Sequence, residues 1–425
     1  MKIEGMDTVS ASFIMIYLLT LLLIATDMVP MSVAALIGAL FALWIGTGYG
    51  IFSYEEALGF VDIRLIGLLI GTMVVMEVAY RSGLFRLIAL YVIRFAGGDS
   101  FKLFIILCIA SAAVSMFLSD STALLLIAAA ATTISRMMDY DPIPYIVSAS
   151  IMINLGGTST LIGSVGNMII GLSAGLSFAD FISYLTPCEL TLWILTTLTL
   201  CWFYRRRLGE KKPVPEFNPW EGIEDKRLLF WSALLLFVFL GLFMLHDKLK
   251  IPPESVALGC AIIALAISRI DSAEIFRSID WDTIFFLIGF FFIVGGLERT
   301  GILKDVAHML INITGGGILL STAMLWASGL ISTIVSNIAV ALTLTPIIRD
   351  LQLSNPLPVW SALIFGSNLG GAATPISGVV TVMAIGALKK EGFKVSLAEF
   401  TKAGLLTTFT QLLLANIYIL VRFGL

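Results

Sequence analysis

Charge is scarce in this chain, and so are the residues that most often carry chemistry. Lysine, arginine, aspartate and glutamate make up 13% of its 425 residues, and only two histidines and four cysteines occur. The basic residues form no long run suited to nucleic acid, so no nucleic-acid partner is expected. Cys108, Cys188, Cys201 and Cys260 lie far apart in apolar stretches, without the CxxC or His-rich spacing of a metal site. They read as small packing residues rather than as disulfides. No GxxxxGK[ST] run is present, which excludes a P-loop ATPase, and no HExxH or Ser/His couple supports an intramembrane enzyme. His246 and His308 have no cysteine or acidic cluster beside them at ligand spacing, so no cofactor is expected beyond sodium ions.

What remains is apolar. Hydrophobic residues reach 58% and the mean hydropathy is +0.99, far above what a chain can keep from water in a soluble fold. The apolar stretches lack the alternation of barrel strands and approach the length of spanning helices, which predicts an all-α polytopic protein of the cytoplasmic membrane. The first stretch follows one lysine and two acids and leads straight into another. It reads as the first membrane helix rather than a removable signal.

The chain repeats itself. Adding 218 carries Asp62 to Asp280, Gly71 to Gly289, Arg81 to Arg299, Gly83 to Gly301 and Gly97 to Gly315. Two heptads, Asn154-Leu-Gly-Gly-Thr-Ser-Thr160 and Asn368-Leu-Gly-Gly-Ala-Ala-Thr374, follow at an offset of 214 and each interrupts an apolar span. Paired glycines weaken a helix, and an unwound backbone at membrane depth persists only where protein or a polar cavity surrounds it. Residues 11–204 and 228–423 are therefore read as two repeats. The connection 205–227 carries Arg205, Arg206, Arg207, Lys211, Lys212, Lys226 and Arg227, and is placed on the cytoplasmic side.

Counting outward from that linker gives each repeat three spans, a re-entrant hairpin, a broken span and a last span, with the second repeat inverted. Eighteen of the 26 Lys and Arg then fall inside. The hairpins, 100–138 and 317–350, have polar tips at Ser119-Asp120-Ser121-Thr122 and Ser336-Asn337. In inverted-repeat transporters such breaks bind solute and coupling ion near the midplane. Asp120 is the most expensive acid at that depth, and reads as a cation ligand or a proton carrier. Glu77 and Arg81 form an interfacial pair, Asp27 a turn or cap, and Glu298-Arg299 a support for the second hairpin. The amphipathic stretch Leu84–Ala96 reads as an interfacial arm or a short crossing.

At these residues the sequence resembles the ion transporter superfamily, which includes divalent anion/sodium symporters, arsenite permease-like proteins, citrate transporters and sodium/proton antiporters. The segments that carry the resemblance are 154–163, 368–376 and 293–301. It implies a scaffold that dimerises and a transport domain of hairpins and broken helices moving in an elevator-like way. Carried over, it implies cation sites at Ser119, Asp120, Asn154 and Gly157 and at Ser336, Asn337, Asn368 and Gly371. The solute would lie near Ser121, Thr122, Thr158, Thr160, Ile338 and Thr374. The Ser-Asp and Ser-Asn tips stand closer to anion symporters than to the Asp-Asn tips of antiporter members, while Val165-Gly166-Asn167 replaces the Pro-Pro-Asn of dicarboxylate symporters. The expected protein is a secondary active transporter of a small anionic solute, coupled to sodium or protons. Arsenite efflux and sodium/proton exchange are the alternatives.

Overall fold

The computed structural model describes residues 2–26, 28–118, 120–209, 218–223, 225–375, 379–390, 392–393 and 396–424. Asp27, Ser119, Lys211, Lys212 and Ile376 lie outside them. All regular structure among the described residues is helical. The first half runs α1 (Lys2–Ala25), α2 (Met31–Gly48), α3 (Tyr54–Leu58), α4 (Ile63–Arg81), α5 (Leu84–Ala96), α6 (Ser100–Ser115), α7 (Asp120–Met138), α8 (Pro142–Gly157), α9 (Val165–Ala174), α10 (Phe178–Asp180) and α11 (Thr186–Tyr204). The second runs α12 (Lys226–Leu249), α13 (Pro253–Ser268), α14 (Ser272–Arg277), α15 (Trp281–Thr300), α16 (Ile302–Thr314), α17 (Gly317–Ser332), α18 (Asn337–Asp350), α19 (Leu357–Gly370), α20 (Val379–Lys390) and α21 (Leu397–Phe423). Seven helical stretches are long and apolar enough to cross a membrane, or eight if α16 and α17, bent by 119° at their junction, count as one.

The element bounds follow local chemistry. Asp62 caps α4 by accepting from the amides of Arg64 and Leu65, and Asp280, 218 residues on, caps α15 through Thr283. Asp141 caps α8, with Pro142 at its first position, where the missing N–H costs nothing. A helix of 16 residues such as α6 or α8 is about 24 Å long, short of the roughly 30 Å of bilayer hydrocarbon.

Packing interleaves the halves. α2 lies along α15, and α13 along α4. A Cβ on Gly289 would come within 2.7 Å of the Ala35 carbonyl carbon, and one on Gly71 within 2.6 Å of that of Ala257. The close approach of each pair therefore needs a glycine on one helix and alanine on the other, as is common where membrane helices meet. A second group forms around α8 and α19, each buried along almost its whole length. α6 packs on α8, α17 on α19, and the last helices α11 and α21 pack on both sets and on each other.

Ion pairs cluster where helices end. Glu77 holds Arg81 at 2.6 Å, and Arg81 reaches on to Glu274 at 2.9 Å. Glu298, at the end of α15, pairs with Arg349, at the end of α18, at 2.6 Å. Arg207 joins Asp141, the cap of α8, to Glu399 in the first turn of α21. The amphipathic α5 has a counterpart in α16, and both are bounded by glycines at positive φ.

Candidate functional site

The two glycine loops meet at the centre of the molecule, each held against the break that precedes it. Ser115, at the end of α6, donates to the Ile153 carbonyl of α8 at 2.7 Å, and Ser332, at the end of α17, donates to the Ser367 carbonyl of α19 at 2.5 Å. Thr160 donates to the Met116 carbonyl at 2.6 Å, and Thr374 to the Thr333 carbonyl at 2.7 Å. The first glycine of each motif serves packing. A Cβ on Gly156 would lie 2.1 Å from the Ala112 carbonyl oxygen, and one on Gly370 2.2 Å from that of Gly329.

Across the halves the loops share amide contacts. Asn154 donates to the Gly371 carbonyl at 3.4 Å. Asn368 does more: its carbonyl oxygen accepts from Ser164 at 2.9 Å and Asn337 at 3.3 Å, while its amide donates to Asn167 at 2.8 Å and the Ile364 carbonyl at 2.8 Å. The Asn167 amide then reaches the carbonyls of Gly157 (3.0 Å), Thr158 (3.2 Å) and Thr160 (2.7 Å). Ser164 was not singled out from sequence, and Asn167 was named only within the segment that departs from the Pro-Pro-Asn pattern, not as a site residue. Their signal was their position, just past the glycine motif and at the start of α9.

A cavity of about 790 Å³ opens between these loops and the helices α4 and α15. Of the residues named from sequence, Asp120, Ser121, Thr122, Asn154, Ser336, Asn337, Ile338 and Gly371 line it. Gly157, Thr158, Thr160, Asn368 and Thr374 stand behind that wall, and Ser119 lies outside the described residues. Gly157 backs directly onto Asp120, since a Cβ there would sit 3.4 Å from its carboxyl oxygen. Thr158, fully buried, donates back to the Asn154 carbonyl at 3.2 Å. The first residues of α7 and α18 face the cavity, so the positive ends of two helix dipoles are turned toward whatever occupies it.

Among the described lining residues no lysine, arginine or histidine appears, but four carboxylates do. Glu77 is held by Arg81, Asp280 caps α15, and Asp282 accepts from Ser32. Asp120 has one long contact among the described residues, from Ser115 at 3.4 Å. It is the acid best placed to meet a cation.

Buried loops, paired half-helices and a central cavity within a bundle of membrane-length helices define a multi-pass membrane transporter, not an enzyme. The model of the citrate transporter family matches residues 21–366, and the chain belongs to that family. An uncharacterized transporter of Mycobacterium tuberculosis is 31% identical over 96% of this chain and 97% of its own length. The magnetosome protein MamN of Magnetospirillum gryphiswaldense is 26% identical over 92% and 94%. The crystal structure of the YdaH transporter from Alcanivorax borkumensis shares the fold, with a TM-score of 0.63 over 98% of both chains at 18% identity.

Proposed function

We propose that this protein is a secondary active transporter that carries a small anionic solute, coupled to sodium or protons, by alternating access. One observation carries the reading: two matched break-and-loop pairs converge on one cavity whose described wall has no basic side chain. An anion bound there needs its charge balanced by helix dipoles and by co-bound cations, which ties its binding to theirs. The name of the family, citrate transporter, makes citrate the first solute to try.

On this reading residues 11–204 and 228–423 are inverted repeats joined by the linker 205–227, and 100–138 and 317–350 are re-entrant hairpins. The interleaved set α1, α2, α4, α12, α13 and α15 acts as scaffold, and the loop-bearing group moves against it as an elevator, in a homodimer. The first cation site is Ser119, Asp120, Asn154 and Gly157, the second Ser336, Asn337, Asn368 and Gly371. Ser121, Thr122 and Ile338 contact solute, and Thr158, Thr160 and Thr374 brace the loops that hold it. Asp120 with a single long contact favours a second reading, sodium/proton exchange.

Thermal unfolding of the purified protein tests this against sodium, lithium, pH steps, citrate, dicarboxylates, sulfate, phosphate and arsenite, because a ligand of the folded state raises its apparent stability. Stabilisation by an anion only with sodium or acid supports the proposal. A response to cation or pH alone supports exchange, arsenite alone supports metalloid efflux, and either would overturn the symport reading.

A further inference from the structure

Away from the cavity, α11 carries a carboxyl group that nothing so far explains. Glu189 is fully buried in the first turn of α11, and neither of its oxygens has a hydrogen-bond partner among the described residues. Leaving an ionised carboxylate enclosed and unpaired is strongly unfavourable. The start of α11 offers no free amides to offset this, because α10 and a π-helical turn, Phe181–Leu185, lead into it and the Thr186 N–H donates to the Phe181 carbonyl.

Its surroundings point to the first glycine loop. Thr186, three residues earlier and so on the same face of α11, donates to the Ser159 carbonyl at 2.9 Å. The Ser159 hydroxyl is itself fully buried without a partner, as is the indole N–H of Trp193, one turn beyond Glu189. On the packed α21 the side-chain oxygen of Asn416 is also buried and unpartnered. Unsatisfied polar groups are rare in folded proteins. Here Ser159, Glu189 and Trp193 lie along the seam where one face of α11 meets the first glycine loop.

The second half shows that packing does not demand an acid. Gly404 on α21 stands where Thr186 stands on α11, since a Cβ on it would lie 2.4 Å from the carbonyl oxygen of Ala373, the counterpart of Ser159 at the loop offset of 214. Three residues on, the place of Glu189 is taken by Thr407, equally buried, whose hydroxyl donates to the Ala403 carbonyl at 2.9 Å. Gln411, at the place of Trp193, donates to Thr196 at 2.9 Å, while its side-chain oxygen is buried without a partner among the described residues. One slot holds a satisfied neutral group and the other an unsatisfied acid.

The elements packed on α11 bring no compensating charge. Beside Glu189 stand Cys188 and, in the π turn, Tyr184; α8 supplies Tyr145, and α6 Cys108 and Lys102. α21 supplies Tyr418 with Glu399, Lys402 and Arg422 toward its ends. Arg422 lies over the Tyr184 ring, and Arg207, beyond the end of α11, is held by Asp141 and Glu399. We propose that Glu189 is a proton-binding site of the transport cycle, loaded while the first glycine loop encloses it and emptied when water reaches the seam. The proton moves between water and one carboxyl oxygen, with no other bond changed.

This inference rests on the transporter reading, but its test needs no solute. Infrared difference spectra of the purified full-length protein between pH 5 and pH 9 should show a neutral carboxyl band worth one group per chain that fades as pH rises. Glu189→Gln and Glu189→Thr, the latter installing the residue of the second half, should both lose that band, while Asp120→Asn keeps it. A band absent from the wild type, unmoved by pH, retained in both Glu189 variants, or lost with Asp120→Asn instead overturns the proposal. Citrate or another anion failing to bind in the thermal screen would sink the anion-transport reading and leave this band as it was.

Discussion

Set side by side, the two glycine loops agree in their bracing and differ in their polar load. Both are stapled by a serine and a threonine to the preceding helix break, at Ser115 and Thr160 in one half and Ser332 and Thr374 in the other. Both need a glycine where a Cβ would strike the carbonyl of a neighbouring helix. Beyond that they part. The first loop has Asp120 at its helix start, Thr158 and Ser159 in the loop and Asn167 behind it; the second has Asn337, Ala372, Ala373 and Thr381 at the matching places. The Ser and Thr bracing and the packed glycines held in both halves serve the fold, which both must build. Features present in only one can serve an ion or a proton that binds once.

The largest effects should come from the shared glycines. We expect Gly156→Ala and Gly370→Ala to destabilise the protein alike, each by about 1–3 kcal/mol or more, read as a lower unfolding temperature; a strong effect at one and none at the other would break the symmetry. Asn368→Ala comes next, because it strands partners on Ser164, Asn167 and Asn337, and unsatisfied buried groups cost about 1–3 kcal/mol each. Coupled uptake into proteoliposomes should be abolished. Asn154→Ala, which removes one long contact, should reduce uptake less, and equal losses would contradict the asymmetry of the network.

Asp120→Asn makes the first tip resemble the second and sharpens the comparison directly. Apparent sodium affinity should fall about tenfold, equivalent to about 1.4 kcal/mol, if Asp120 ligates the ion; loss of pH dependence instead identifies a proton carrier. An unchanged response to both ions would make it structural. The smallest effects belong to Thr160→Val and Thr374→Val, each expected to cost about 1 kcal/mol of stability through one lost hydrogen bond. A much larger loss of transport than of stability at Thr160 would give it a direct role in binding.

Much of this was legible in residues alone. The Asn-Leu-Gly-Gly heptads were visible because they break apolar runs twice, 214 residues apart, and Asp62 and Asp280, which the structure shows to be helix caps, were visible as a pair 218 residues apart. Glu298 could be read from sequence as lying near a helix end, but its pairing with Arg349 at the end of α18 could not. Sequence could not tell a glycine that lines a cavity from one that lets two helices touch, because both leave the same residue. Nor could it find Glu189, since one acid in a helical apolar run looks interfacial until the surrounding helices are in place.

The interlock of Gly71 with Ala257 and of Gly289 with Ala35 also bears on how the chain is made. Contacts this distant in sequence form late and slow assembly. As the ribosome delivers the first half, α2 enters the bilayer with its small-residue face turned to lipid, and it waits there until α15 has been synthesised more than two hundred residues later. Biogenesis of this protein thus passes through a half-built bundle in which neither half is complete. A chain cut in the linker should yield two fragments that are held in the membrane and degraded apart, and rescued only when made together.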